Sequence, residues 1–492
     1  FFMTDSSQLW LFWKIVPAME KCRAFFGTCV DTPKFGEIRG LQEQVLILVS
    51  AFGRIASVHR GAAAEEYRET LERDGVPVRV LNEFEILVPG FIDTHIHFPQ
   101  FPFTGAGIDK PLMGGDGFLT KYAFPTEESM MDVERARSVY SMALETLLSH
   151  GTTTALIFAS IHSQASKELV DLALLKQGPR AFVGKVCVDR HCPDSYIETT
   201  EDSVKSTEDF IKYTQNRAVE SGIQAPYLVQ AVVTPRFLPT SSPELLTGLA
   251  HLAEKYKCMI QSHMSESIDA VAFSSSLFPG KSDAEVFADF GLLHEQPASV
   301  MAHCVQMTKG EEDILEAAGG SIAHCPLSNF FFAHGALPVK YLLRRGIKVG
   351  LGTDVAGGYS PSILSAMRAA VMASKSLQFR YLPGSSMADG ISREGTDADV
   401  KEAHDLDHFE ALYLATLGGA NALGLSSHLG SFEEGKCFDA VVLRRGFGST
   451  PVGWTSEESK EDLLLKIITL GDDRNVKEVF VDGRSVYQAQ DA

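Results

Sequence analysis

The sequence predicts an α/β fold: a (β/α)8 TIM-like barrel with a small β-rich side domain formed from both chain ends. Three observations predict it. Eight near-continuous apolar runs recur through the middle of the chain, with helical patterns between them. Runs of that kind imply a parallel sheet covered on both faces, and eight of them suit a closed barrel better than a doubly wound open sheet. The two ends of the chain match in kind, with short apolar stretches punctuated by turns, so they are expected to fold together. The 492 residues accommodate a barrel of roughly 250–400 residues and one smaller domain.

In chain order, residues 9–16 (LWLFWKIV) are broken by Lys14 and preceded by Asp5 instead of basic residues. They are expected to pack on the body and make a poor secretory leader. In residues 23–84, the stretches 44–52 and 76–81 read as strands around a polar helix, 62–73. This N-terminal part of the side domain is expected to span residues 1–85. The barrel is expected over 86–425. Its strand-like runs are 86–93, 152–160, 181–189, 227–234, 258–263, 299–303, 321–324 and 348–354. Amphipathic stretches such as 133–150, 242–256, 283–290 and 309–318 supply helices between them. Residues 381–407, rich in Gly and acids, read as a long loop or lid. Residues 426–492 return to the β pattern, and Asp482-Gly483 forms a favoured hairpin turn between 479–481 and 485–487.

The ends of the barrel runs carry the chemistry. The first continues as FIDTHIHFPQ through residue 100, with Asp93, His95 and His97 in alternation. Residues two apart on a strand face the same way. His95 and His97 therefore aim at one point just past the strand's C-terminal end, where two imidazoles can share a metal ion, typically zinc. The same three-residue pattern also suits two histidines near a turn, so later strand ends decide. The fifth run ends QSHMSES, with His263 at its tip and Glu266 three residues on. The sixth ends at His303, the seventh at His324, and the eighth at Asp354 in GTDVAGG, whose glycines let backbone approach a ligand. His or Asp thus stands at five of eight expected tips, the end where such barrels carry active sites.

His95, His97, His263 and Asp354 offer three neutral nitrogens and one carboxylate to a single Zn2+, with room for a water whose pKa the ion lowers towards about 7. Asp354 is placed to accept that water's proton. Glu266, one turn from His263, is placed to shuttle a proton to the substrate's leaving part. His303 is expected either to hydrogen-bond the nascent hydroxide or to hold Asp354. One ion per chain is expected. A second would need a bridging carboxylate or carbamylated lysine at the fourth strand's end, where QAVVTPRF offers neither. Gly280-Lys281-Ser282 has the tail of a phosphate loop, but Ser275 stands where the upstream glycine belongs. Neither HExxH, GxSxG nor the cytidine-deaminase H-x-E with P-C-x-x-C is present.

A net charge of −19 argues against nucleic-acid and anionic-membrane partners, and no run approaches the roughly 20 apolar residues of a membrane span. Eight scattered cysteines without a CxxC pair suit reduced thiols in a cytoplasmic enzyme. Cys304 and Cys325 each follow a histidine and are expected behind the site, not in it.

PGFIDTHIH, SHMSE, MAH and GTDVAGGYS together resemble the amidohydrolase superfamily in its one-metal deaminase branch. With Ser160-Ile161-His162, RAFVGKVCVD (180–189), VTPRF (233–237) and IAHCPLSN, the resemblance narrows to the guanine deaminase family over roughly residues 85–440. It implies zinc-dependent hydrolysis of guanine to xanthine and ammonia, with His95, His97, His263 and Asp354 as ligands and Glu266 as proton shuttle. It also implies a substrate pocket made by His97, Gln100, Arg236, Phe237, His263, Glu266 and Asp354, with Gln100 and Arg236 binding the purine and Phe237 packing beside it. A homodimer working in cytoplasmic purine salvage is implied as well. Arg236 is donor-only and would favour guanine's O6 acceptor over adenine's amine. Two rivals stand beside this reading. One is a sister amidohydrolase acting on cytosine, an adenosine-type base or a triazine; the other is an inactive barrel serving as an assembly partner, against which the intact ligand set argues.

Overall fold

A computed structural model describes residues 22–223, 227–381, 404–446, 452–453 and 458–490. The apolar segment 9–16 and most of the expected loop 381–407 lie outside the described residues. Eight parallel strands form one sheet in strict chain order. They are β1 (Phe91–His97), β2 (Thr152–Phe158), β3 (Arg180–Cys187), β4 (Val229–Pro235), β5 (Met259–Met264), β6 (Ser299–His303), β7 (Ser321–His324) and β8 (Lys348–Leu351).

Helices fill the intervals, and their starts follow the capping chemistry. Asp132 accepts from the Glu134 and Arg135 amides ahead of Val133–Ser149, Ser242 caps Pro243–Tyr256, and Thr308 with Glu311 forms a capping box on Lys309–Ala318. Residues on the outer faces of the strands, such as Ile157, Val183 and Ile260, pack with Leu144, Leu169 and Leu249 of the helices. Alternate residues of the same strands, Leu156, Phe182, Val232 and Val300, belong to a separate apolar cluster. Among the described residues no helix is long and apolar enough to cross a membrane.

The sheet closes where the site lies. Beyond β8, the amide of Asp354 donates to the His95 carbonyl at 2.8 Å, and the His97 amide donates to the Val355 carbonyl at 3.0 Å. Asp93, fully buried, accepts from Thr353 Oγ1 at 2.5 Å, from the Thr353 amide at 3.0 Å and from the His95 amide at 3.2 Å. Its carboxylate therefore pins the strand bearing two histidines to the turn bearing Asp354. Burial pushes the Asp93 carboxyl up to about 7.

The run expected at 86–93 is two strands, not one. Glu85–Pro89 belongs to an antiparallel sheet with Ala440–Arg444, Val476–Val481 and Arg484–Gln488, and β1 starts after Gly90. A Cβ on Gly90 would fall 2.0 Å from Thr153 Oγ1, so only glycine lets the chain pass from one sheet to the other there. His97 is the last residue of β1 and His95 the third from last.

The side domain combines this sheet with a second one, built from Arg23–Gly27, Val45–Val49, Ile55–Arg60 and Val78–Val80. Phe25 stacks on Phe438 and meets Phe480 edge to face, so both chain ends share one core. The Asp482-Gly483 turn has φ of 49° and 72°, the left-handed pair a tight hairpin needs. Arg180, at the start of β3, is fully buried and binds Asp439 of the side domain through two bonds of 2.6 and 2.8 Å. A buried pair of this kind holds the two domains in one orientation.

Candidate active site

Four side chains from three elements converge at the C-terminal mouth of the barrel. Donor atoms of His95, His97, His263 and Asp354 all lie within 4.8 Å of one another. His97 Nε2 is 3.1 Å from His263 Nε2, and Asp354 Oδ1 is 3.2 Å from His95 Nε2 and 3.5 Å from His97 Nε2. The His263 Nδ1–H donates to the Arg236 carbonyl at 2.7 Å, which leaves Nε2 as a bare lone pair aimed at the other donors. His95 Nε2 is buried without a hydrogen-bond partner.

Burial, reinforced by the neighbouring histidines and Arg236, holds His95, His97 and His263 well below the ordinary imidazole value. Neutral nitrogens, an orphaned ring atom and one carboxylate facing a common point fit a single divalent metal of the zinc type. A Cβ on Gly357 would crowd Asp354 Oδ2 at 2.8 Å, which explains the glycine after the eighth run.

Glu266 and His303 stand beside this cluster. Glu266 is almost fully buried; burial first, and Asp354 second, push its carboxyl well above the ordinary carboxylate range. Its Oε1 lies 3.6 Å from His303 Nε2, which is 3.9 Å from Asp354 Oδ2. The His303 Nδ1–H donates to Asn329 Oδ1 at 2.9 Å, turning its other nitrogen towards the two carboxyl groups. Asn329 in turn lies 3.4 Å from His324 Nδ1. His324 is therefore buried behind His303, outside the pocket.

Ser265, His303 and Asp354 take left-handed backbone with φ of 46°, 71° and 49°, a strain that clusters at functional tips. Ser265 is held from three sides. Its amide donates to Asp283 at 2.9 Å, its hydroxyl to Glu311 at 2.8 Å, and its carbonyl accepts from the Gln306 amide at 2.7 Å. That clamp sets the direction of Glu266.

A pocket opens over the cluster. Of the residues expected from sequence, His97, Gln100, Arg236, Phe237, His263, Glu266, His303 and Asp354 all line it, and His95 alone does not. Leu112, Phe118, Leu119 and Phe332 add apolar walls that sequence reasoning missed. It also missed Glu127, Tyr196 and Asn329, which stand one layer back. Glu127, in FPTEE, carries no local signal until the fold brings its partners to it, and Asn329 ends the IAHCPLSN stretch without being singled out by it. Cys304 and Cys325 are buried, as expected, and neither lines the pocket.

The amidohydrolase family model matches residues 86–486. A guanine deaminase of Dictyostelium discoideum is 36% identical over 476 residues, covering 94% of this chain and 98% of that protein. The chain belongs to the amidohydrolase family, among its guanine deaminases. The guanine deaminase of Homo sapiens is 38% identical over 448 residues, 90% of this chain and 91% of that one. A crystal structure of a guanine deaminase from C. acetobutylicum, with guanine bound in the active site, superposes with a TM-score of 0.81 at 31% identity. It covers 95% of this chain and 100% of that chain. The family match and the four converging donors together support a metal cofactor, which the His-His-His-Asp cluster could hold.

Proposed function

We propose that this protein is a zinc-dependent guanine deaminase that hydrolyses guanine to xanthine and ammonia. The observation that carries the reading is a single pocket in which Arg236 and Gln100 stand with the His-His-His-Asp cluster and Glu266. Metal ligation is assigned to His95, His97, His263 and Asp354. When bound there, the ion supplies a Lewis acid that makes a water nucleophilic near neutral pH.

The chain's own residues handle the protons and the purine. Arg236 and Gln100 bind guanine's polar edge, Phe237 packs beside the ring, and C2 is presented to the water. Glu266 enters protonated and gives its proton to N3, while Asp354, steadied by His303, takes one proton from the attacking water. Oxygen bonds to C2, giving a tetrahedral carbon. Asp354 passes its proton to the amino group, ammonia leaves as the C2–N bond breaks, and the hydroxyl proton returns to Glu266. The product is xanthine, with a carbonyl at C2 and hydrogen on N3.

Purine salvage in the cytoplasm accords with eight free thiols. A homodimer and the domain limits 1–85, 86–425 and 426–492 complete the proposal. The test is xanthine formation from guanine, followed by absorbance with and without a chelator, beside ammonia release from cytosine, adenosine and an aminotriazine. Guanine turnover that a chelator abolishes is expected. Ammonia from another base and none from guanine would overturn the assignment.

A further inference from the structure

We infer that Glu127 is a positioning residue for substrate specificity: it holds Gln100 and Arg236 so that both present N–H donors to the pocket. The inference rests on the guanine reading of that pocket. Glu127 lies on a short helix, Phe124–Glu128, is fully buried and does not itself line the pocket. Its Oε1 accepts from Gln100 Nε2 at 2.8 Å. Its Oε2 accepts from Arg236 Nη1 at 2.6 Å and from the Tyr196 hydroxyl at 2.7 Å. All three partners are donors, the set that an acceptor-only carboxylate satisfies. The Tyr196 oxygen also accepts from the Ile161 amide at 3.3 Å, so its own proton is directed at Glu127.

The consequence for Gln100 is geometric. Its carbonyl oxygen accepts from the Ala356 amide at 3.2 Å while its nitrogen donates to Glu127, so the amide is held against flipping. Arg236 is fixed at one edge by Glu127 and lies over the Phe124 ring at 5.1 Å. Gln100 keeps one N–H beyond its bond to Glu127, and the Arg236 guanidinium has only N–H groups to offer. That edge selects a carbonyl oxygen such as guanine O6 and leaves an amine or a C–H at the same place unpaired. A glutamine at 127 would offer a donor where three donors meet. It would release the Gln100 amide to turn its oxygen towards the ligand.

The experiment uses the metal-loaded full chain and the Glu127→Gln variant, with guanine as substrate and 2-aminopurine, which has hydrogen where guanine has O6, as competing ligand. The expected result is a KM for guanine raised at least tenfold, with kcat within threefold, metal content unchanged and the 2-aminopurine inhibition constant within threefold. A guanine KM within twofold of the parent overturns the inference, and so does an equal weakening of both ligands, which marks a general packing defect. If Glu127→Gln does not fold, Glu127→Asp keeps the charge but withdraws it by one methylene. It must show the same split between guanine and 2-aminopurine, and its absence overturns the inference. A parent enzyme that forms no xanthine refutes the guanine reading itself; an active parent with a parallel loss in the variant refutes only the role of Glu127.

Discussion

Replacing Glu266 with glutamine changes almost no volume and removes one proton-transfer group. The buried carboxyl beside Asp354 is held well above the ordinary carboxylate range, which favours the protonated form that the proposed transfer to guanine N3 requires. An amide of the same shape can donate a hydrogen bond there but cannot give up the proton. General acid–base groups contribute about 10²–10⁴-fold to rate, or roughly 2.7–5.5 kcal/mol at about 1.36 kcal/mol per decade. Glu266 stands outside the four-donor cluster, with its Oε1 3.6 Å from His303 Nε2. Glu266→Gln should therefore retain one metal per chain by elemental analysis and bind guanine with KM near the parent value. Its kcat for xanthine formation should fall by two to four decades. A kcat within tenfold of the parent, or loss of the metal, would refute the proton-shuttle assignment.

Two further predictions follow from neighbouring contacts. Arg236→Ala should raise the guanine KM strongly while keeping the metal, because His263 is oriented by the main-chain oxygen of residue 236, which alanine retains. It should also lower the melting temperature, since Glu127 would stay buried without its cation, a loss worth about 3–5 kcal/mol. A KM close to the parent's would show that Arg236 serves the fold alone. Asp283 supplies a pH prediction. Burial raises its carboxyl from 3.8 to about 6, so the folded chain holds a proton that the unfolded chain has released between those values. That group's contribution to stability therefore falls as pH rises from about 4 to 6, by on the order of 3 kcal/mol, and is level above. Asp283→Asn has no such slope, so its melting temperature relative to the parent should climb between pH 4 and 6.5. A difference independent of pH would contradict the shift.

The expectation of zinc rests on donor chemistry that is local and therefore readable. An HxH on a strand, a histidine ending a later apolar run and a TD at the last one are each set by period-two alternation and by the end of a buried stretch. The break at Pro89-Gly90 was less visible. Both halves of that run are equally apolar, and only the Thr153 side chain on the neighbouring strand forces glycine at the crossing. His324 shows the opposite case. Its position at a strand tip matches that of His303, yet Asn329 holds it behind the pocket.

By itself the sequence determined the number and kind of the barrel strands, the pairing of both chain ends in a side domain, and the types of residue available at the strand tips. These depend on hydrophobic period and turn chemistry within a few residues of each position. Tertiary structure alone decided how those tips are joined and backed. Asp93 ties β1 to the turn after β8, across 260 residues. Glu127 meets partners 27, 69 and 109 residues away. A lone carboxylate in a helix has no periodicity to announce such partners, because its role comes from donors that reach it only when the barrel closes.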